Sequence, residues 1–296
     1  MNSQSLQPAQ EQIVDAAGGG SFRLLEALAS ELSGGSYDIP VFPDVAVRVR
    51  DALNDPDVSV DRVADIVRSD PLFTTQLLKL ANSAMLMRGS REVIELKTAI
   101  SRMGFKMVRN IAVSRAMDAT FSAPESSILK ARISSLREHS IRVASLAYFL
   151  AKRQPHIRNP EEAMLAGLLH DIGKFYILTR VENFPDLLID NQEFDELLAA
   201  WHTGVGRVIV ESWGFLEQIA DAVDEHEELD RIHFGPADIV DIVIVGNLIA
   251  NGQDSACADM AGIPSCQRLN IDRKAVEQIL QESSEELNSL SLALDR

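Results

Sequence analysis

The hydrophobic residues of this chain recur at intervals of three and four along almost its whole length. This spacing follows the 3.6-residue repeat of one helix face, whereas a half-buried strand alternates at every second residue. No run of the sequence shows convincing strand alternation. The sequence therefore predicts an all-α protein in which helices pack against helices around an aliphatic core.

Signals for helix ends mark several boundaries. Asp70 offers an N-cap and is followed by Pro71 at the first helical position. Gly104 suits a helix C-cap. A long helix is predicted over residues 125–155, and two separate helices are predicted on either side of a junction near Gly204, over FPDLLIDNQEFDELLAAWH and GVGRVIVESWG.

The chain divides into four segments by composition and pattern. Residues 1–37 form a variable N-terminal lead, in which two glycine-rich stretches flank one short amphipathic piece. Residues 38–250 carry the helical pattern without a fixed repeat or a low-complexity linker, and we expect one unit of two lobes, 38–120 and 121–250. Residues 251–296 form a polar extension that ends in a helix.

Charge is distributed unevenly and argues against some partners. The net charge is −16, and residues 181–296 hold 24 acidic and only 6 basic residues. Such an acidic half repels phosphate backbones, so we expect no nucleic-acid binding. The first half contains a local basic set, which we interpret as the solvated face of helices. Its members are Lys97, Arg102, Lys106, Arg109 and Arg115.

Location follows from what the sequence lacks. No apolar stretch approaches the roughly 18–20 residues that a membrane-spanning helix needs. The first residues have neither the basic start nor the apolar centre of a secretory signal. Cys257 and Cys266 are not spaced as zinc ligands and suit a reducing compartment. We therefore expect a cytoplasmic protein without a membrane segment.

Four of the six histidines lie where a predicted helix turns inward: His139, His170, His202 and His226. Asp171 follows His170 directly. Imidazole and carboxylate are ligands of first-row metals, so the set predicts a divalent metal site for iron, manganese or zinc. The other two histidines, at 156 and 233, lie in polar, loop-like surroundings, and we assign them no role.

The adjacent pair at 170 and 171 sets a geometric condition. Neighbouring residues on a helix point about 100° apart, so His170 and Asp171 reach one ion only at a helix end or an irregular turn, which Gly173 would permit. Lys174 would then contact a phosphate oxygen beside the ion. Each residue also has a plainer interpretation: a core histidine bonded to the backbone, a capping aspartate and a solvated lysine.

The motif LLHDIGKF, with LREHSIRVASLAYFLAK upstream, resembles the HD superfamily of metal-dependent phosphohydrolases. The stretch that begins IPVFPDVAVRVRDAL and the later WHTGVGRVIVESWGFLEQIADAVDEHEEL are similar to the HDOD domain, over roughly residues 38–250. The resemblance implies an HD-like helical bundle over 121–250 with an additional N-terminal helical lobe. It also implies a bacterial signalling module that regulates or scaffolds and often lacks demonstrated hydrolase activity.

The HD pattern implies a ligand set in this chain. Its positions fall on His139, the pair His170 and Asp171, His202 and His226. The closing aspartate of the pattern is replaced, because IVIVGNLIA puts Asn247 there. An asparagine offers a carbonyl oxygen but neither charge nor a base. The Gly-Tyr-Pro extension of cyclic-di-GMP phosphodiesterases of the HD kind is absent from the segment after the pair, which gives cyclic-dinucleotide hydrolysis little support.

Three hypotheses about function follow. The sequence favours a non-catalytic HDOD regulator that binds a sensor kinase, a response regulator or a cyclase, with a metal or small ligand as an input. The alternative is a metal-dependent phosphohydrolase acting on a nucleotide or phosphoester, with Asp171 and Lys174 as its catalytic candidates. A third hypothesis makes the histidines a buried hydrogen-bonded network that only fixes helix packing.

Overall fold

A computed structural model of the chain describes residues 19–33, 44–87, 91–121, 127–184, 187, 191–252, 260–282 and 284–294. Within these ranges the chain is helical apart from its connections and contains no strand, which confirms the all-α prediction. Cys257 lies outside the described residues, as does the segment 122–126 that follows the expected lobe boundary between residues 120 and 121. None of the described helices combines the length and apolar character needed to cross a bilayer.

The helices fall into three groups along the chain. The first group is α1 (Gly19–Ser33), α2 (Asp44–Leu53), α3 (Val60–Arg68), α4 (Pro71–Ala81), α5 (Ala84–Met87), α6 (Leu96–Met103) and α7 (Phe105–Thr120). The second is α8 (Ser127–Lys152), α9 (Pro160–Leu169), α10 (Ile172–Arg180), α11 (Asn191–Ser212), α12 (Glu217–Glu225) and α13 (Ile239–Ala250). The third is α14 (Pro264–Leu269), α15 (Arg273–Glu282) and α16 (Ser284–Leu294).

The helix-end signals act largely as predicted. Asp70 caps α4, because its Oδ1 accepts the backbone N–H groups of Leu72 and Phe73, each at 3.0 Å. Gly104 has a φ of 80°, which lets the chain turn directly from α6 into α7. The predicted break near Gly204 is wrong. Helix α11 runs through it, since burial of the face that carries Phe194 and Ile209 outweighs the roughly 1 kcal/mol cost of a helical glycine.

The 26-residue helix α8 is the axis of the second group and packs along α9 and α13. Helix α7 joins the first group to this bundle through α9. At that contact the buried carboxylate of Glu162 accepts Arg109 Nη2 at 3.0 Å and lies 3.3 Å from Lys106 Nζ. The predicted basic face is thus engaged within the chain: Lys97 pairs with Asp61, Arg115 with Asp70, and Arg102 bonds backbone carbonyls.

The C-terminal helix α16 packs against α4, α5 and α7 of the first group and against α8 of the second group. Side chains from three of these helices satisfy the carbonyl groups at its end. Gln76 Nε2 donates to Ala293 O at 2.6 Å, while Ser114 Oγ and Arg137 Nη2 donate to Leu294 O at 2.8 and 3.0 Å. Helix α16 therefore ties the first group to the bundle.

Helix α1, within the predicted lead, packs against α11. Its Glu31 carboxylate accepts the phenol of Tyr176 on α10 and lies 3.3 Å from Arg180 Nε. Burial and the Glu31 carboxylate raise the pKa of Tyr176. The lead thus contributes one helix that is docked on the bundle, while residues 1–18 and 34–37 lie outside the described ranges.

Candidate metal centre

The His–Asp pair lies at the junction of two helices. Helix α9 ends at Leu169, His170 is its C-cap, and Asp171 is the residue before α10 begins. Both side chains are buried, at 0% and 2% exposure. The expectation that adjacent ligands require a helix end is therefore met.

Gly173 has a different role from the one expected. It does not have a positive φ, so the turn does not require a glycine. A Cβ atom there would lie 1.9 Å from the carbonyl oxygen of His202 on α11 and 2.8 Å from the backbone nitrogen of Gly206. Glycine at 173 lets the backbones of α10 and α11 touch, and this close crossing brings His202 to Asp171.

Three buried histidines are oriented in the same way by the backbone. Nδ1 of His170 donates to Gly167 O at 2.8 Å, and Nδ1 of His226 donates to Val223 O at 2.8 Å. Nδ1 of His202 lies 2.9 Å from Leu198 O. A carbonyl can only accept, so in the neutral form each ring keeps its free lone pair on Nε2. Second hydrogen bonds of this kind orient metal-ligating histidines in proteins.

The Asp171 carboxylate lies between two histidine pairs. Its Oδ2 is 3.3 Å from His170 Nε2 and 3.9 Å from His139 Nε2. Its Oδ1 is 3.5 Å from His202 Nε2 and 3.3 Å from His226 Nε2. The carboxylate therefore presents one oxygen to each pair, which is the position of a bridging group.

Two features show that this donor set fits a cation. The Nε2 atoms of His202 and His226 lie 3.3 Å apart although both Nδ1 atoms donate, so the contact needs a shared proton or a metal ion. Oδ1 of Asp171 is buried and accepts no well-aligned hydrogen bond from the described residues, although Lys174 Nζ lies 2.9 Å away. The residues present thus fit a divalent ion.

Glu227 is a member of the centre that the sequence analysis missed. Its Oε1 lies 3.6 Å from His226 Nε2 and 3.7 Å from His202 Nε2. Ligand atoms of Asp171, His202, His226 and Glu227 all fall within 4.8 Å of one another, as do those of His139, His170 and Asp171. The available signal was adjacency, because Glu227 follows His226 as Asp171 follows His170.

The histidines of the centre differ in pKa. Burial, together with the charge of His170, lowers the pKa of His139 to about 4, and burial and Lys174 lower that of His202 to about 4. Burial opposes protonation of His226, but the nearby carboxylates of Asp171 and Glu227 prevail and raise its pKa to about 9. Near neutral pH a metal ion would therefore displace a proton from His226 alone among these three.

Both carboxyl groups are ionised. Burial alone would raise the pKa of Asp171, but His170, His226 and Lys174 together hold it well below its usual range. The interaction with the nearby His226 is the main cause that lowers the pKa of Glu227 to about 2. The centre thus offers two anionic ligands at neutral pH.

A pocket of about 370 Å³ opens beside the first histidine pair. Its polar lining consists of Arg132, Ser135, His139, Asp171, Lys174, Asn247 and Asn251. Asn247 is buried there, and its Oδ1 accepts Asn251 Nδ2 at 3.2 Å. The Lys174 ammonium, predicted to meet a phosphate, lies 2.9 and 3.1 Å from the two Asp171 oxygens.

A second acidic cluster lies away from this centre around Asp241, at the start of α13. Its buried carboxylate accepts Ser265 Oγ at 2.7 Å, His233 Nε2 at 2.8 Å and Arg268 Nε at 2.9 Å. The guanidinium of Arg231 lies 3.5 Å away. Asp241 thus holds α14 to α13 and lies outside the metal centre, and His233 contributes a structural hydrogen bond to this cluster.

Comparisons with known proteins agree with this architecture. A family model described as the HDOD domain matches residues 39–229. A solved structure from Shewanella amazonensis, named as a candidate metal-dependent phosphohydrolase, is 24% identical with a TM-score of 0.75 and covers 94% of this chain and 100% of its own. An HDOD domain protein of unknown function from Geobacter sulfurreducens is 25% identical with a TM-score of 0.66, over 93% and 98% of the two chains.

An uncharacterised protein from Treponema pallidum is 22% identical over 214 residues. That alignment covers 68% of this chain but 40% of the relative, so the chain spans about two fifths of that protein.

Proposed function

Because the chain belongs to the HDOD family, we propose that it is a cytoplasmic bacterial regulator whose His–Asp centre binds a divalent ion without hydrolysing phosphoesters. The metal-binding part of this proposal is supported by Oδ1 of buried Asp171, which accepts no well-aligned hydrogen bond from the described residues and faces Nε2 of both His202 and His226. A bound ion would polarise an anionic oxygen next to it. Iron and zinc suit imidazole, and manganese suits carboxylate oxygen.

The absence of turnover is supported by the position of Asn247. It lines the pocket beside His139, where the HD pattern has an aspartate, and an amide cannot take up a proton from water. Among the described residues that line the pocket, Asp171 is the sole carboxylate, and both its oxygens lie within 3.1 Å of Lys174 Nζ. The described lining therefore offers no unpaired carboxylate to activate water.

Such a regulator would act by binding another protein, and the loop between α12 and α13 has features of a binding surface. Ile232 and Phe234 are 83% and 103% exposed. Their neighbours are anchored: Arg231 pairs with Glu225 and Asp238, and His233 bonds Asp241. The loop thus presents two apolar side chains on a fixed backbone.

Acidic residues surround this loop and indicate the chemistry of the partner. Glu228 and Asp230 are exposed on the loop itself, in the half of the chain that carries the excess of acidic residues. We propose a partner protein with an apolar pocket inside a basic rim, because charge complementarity steers association and selects partners. A sensor kinase, a response regulator or a cyclase remains the proposed class.

The second candidate function is hydrolysis, which the complete histidine set and the adjacent pocket favour. An assay of phosphoester hydrolysis distinguishes the regulatory function from the hydrolase function. The chain is loaded with manganese or iron and is given bis(p-nitrophenyl) phosphate, p-nitrophenyl phosphate and nucleotides. We expect bound metal and no turnover above that of Asp171→Asn. Turnover that Asp171→Asn abolishes and Glu228→Gln retains would contradict the regulatory proposal and establish a phosphohydrolase.

A further inference from the structure

We propose that Glu227 is a metal ligand, and that this chain holds one tightly bound ion with His202, His226, Asp171 and Glu227 in place of two equivalent ions. This inference rests on the proposed function, since it assumes that the centre binds metal. Glu227 gives the His202–His226 pair a second negative charge, whereas the amide of Asn247 gives none to the His139–His170 pair.

The two halves of the centre differ in charge. Among the residues that the structure describes, the half formed by His139 and His170 contains one carboxylate, the shared Asp171, and the amide of Asn247 lies nearby. The half formed by His202 and His226 contains two carboxylates, Asp171 and Glu227. A divalent ion gains more from two anions than from one in a buried site, so the two halves are unequal.

The second half is also the better prepared of the two. Both of its histidines are fixed by Nδ1 bonds to the preceding turn of their own helices. His226 is the C-cap of α12, so Glu227 follows at the helix end, where adjacent residues can turn toward one ion. His139 in the other half is 19% exposed on its side chain, and its Nε2 is 3.9 Å from Asp171.

Access for an ion from solvent and the balance of charge both favour the half formed by His202 and His226. The Glu227 side chain is 53% exposed, which provides a route for an ion from solvent to the buried imidazoles. Lys174 Nζ already lies 2.9 Å from Asp171 Oδ1 and 3.8 Å from Glu227 Oε1, so a positive charge sits between the same two carboxylates. A metal ion would take over this position, with its higher charge.

The number of bound ions should depend on residue 247. With Asn247 in place, the described part of the chain supplies no second anion to the half that contains His139 and His170, and the chain binds one ion tightly. Asn247→Asp restores a carboxylate to that half, so this variant should bind two. Replacing His202 should then remove the tight ion of the wild type, whereas replacing His139 should leave it.

The test is titration of Mn²⁺ into the chelator-stripped full chain, followed by the paramagnetic resonance signal of the free ion. We expect one tight ion in the wild type, at least a tenfold weaker affinity in Glu227→Gln, and no change in Glu228→Gln, the exposed neighbour. His202→Ala should lose the ion, His139→Ala should keep it, and Asn247→Asp should gain a second. Thermal unfolding of each variant confirms that it is folded.

Each contrary result has its own meaning. Equal affinity in Glu227→Gln, or two equivalent ions in the wild type, overturns the assignment of Glu227 and leaves the proposed function intact. Loss of the ion in His139→Ala but not in His202→Ala places it in the other half and also overturns the assignment. No ion in any variant overturns both this inference and the proposed function.

Discussion

The backbone of Gly173 lies against the carbonyl group of His202, so closely that a Cβ atom at 173 would approach that oxygen to 1.9 Å. Helix α10 begins one residue after Asp171, and His202 lies on α11. The contact therefore fixes the distance between a carboxylate and an imidazole that we assign to the metal centre. A single methyl group at this point would push the two helices apart.

Gly173→Ala should destabilise the fold and impair metal binding, because the atom that it meets is backbone and cannot turn away. Overpacking in a core typically costs about 1–3 kcal/mol, and this clash is severe. Gly204→Ala on α11 is the matched control, since a Cβ there meets no atom of the described residues within 4 Å. The control should be neutral or more stable by about 0.5–1 kcal/mol. Urea unfolding measures both, and equal stabilities would contradict the close crossing.

Helix α16 should contribute directly to the stability of the whole fold. Leu290 is 0% exposed and Leu292 is 73% exposed on the same helix. Leu290→Ala should lower the free energy of unfolding by about 2–5 kcal/mol, because it leaves a cavity in the core. Leu292→Ala should change it by less than about 0.5 kcal/mol. Similar small effects for both variants would show that α16 is not docked in solution.

The carboxyl group of Asp241 should make the fold sensitive to acid. Hydrogen bonds from Arg268, His233 and Ser265 outweigh burial and lower its pKa in the folded chain below the usual value of 3.8. The unfolded chain therefore binds more protons in acid, so this contribution is present above about pH 4 and is lost as the pH falls through the lower folded pKa.

The variant that tests this sensitivity is Asp241→Asn. It should be less stable than the wild type at pH 7, and the difference should shrink as the pH is lowered. Urea unfolding at pH 7, 4, 3 and 2.5 measures the change, because the loss occurs below about pH 4, with the exposed Asp230→Asn as the control. A difference that is constant over this range would rule out ionised Asp241 as its cause.

The exposed loop should be dispensable for folding. Ile232 and Phe234 bury little of their surface, so the double variant Ile232→Ser and Phe234→Ser should keep the unfolding free energy within about 0.5 kcal/mol per substitution. Denaturant unfolding and far-ultraviolet circular dichroism check this. A loss of several kcal/mol would mean that both side chains are packed in solution and are not free to meet a partner.

Much of the fold and part of the site follow from local pattern. The helical period predicts the class, and the His–Asp adjacency predicts a helix end at residues 170 and 171, which the structure has. Burial of His202 and His226 also follows, because their helices have one apolar face. These features depend on residues close together in sequence.

The rest depends on contacts between distant segments. Glu227 joins the centre because α12 ends beside Asp171 and Lys174, and its adjacency to His226 alone does not predict that contact. The role of Gly173 depends on the crossing of α10 with α11. The position at which α16 docks depends on a surface that the first and second groups of helices form together. Pairing of distant elements leaves little trace in one sequence, because many apolar faces could receive the same amphipathic helix.

The central claim is that the buried histidines and Asp171 form a metal site. Elemental analysis tests it on the full chain purified without chelator or affinity metal and incubated with iron, manganese or zinc, beside His202→Ala and Asp171→Ala. The account predicts near-stoichiometric metal in the wild type and none in the two variants while they remain folded. A wild type without metal after all three incubations would contradict the account and leave the histidines as a structural network.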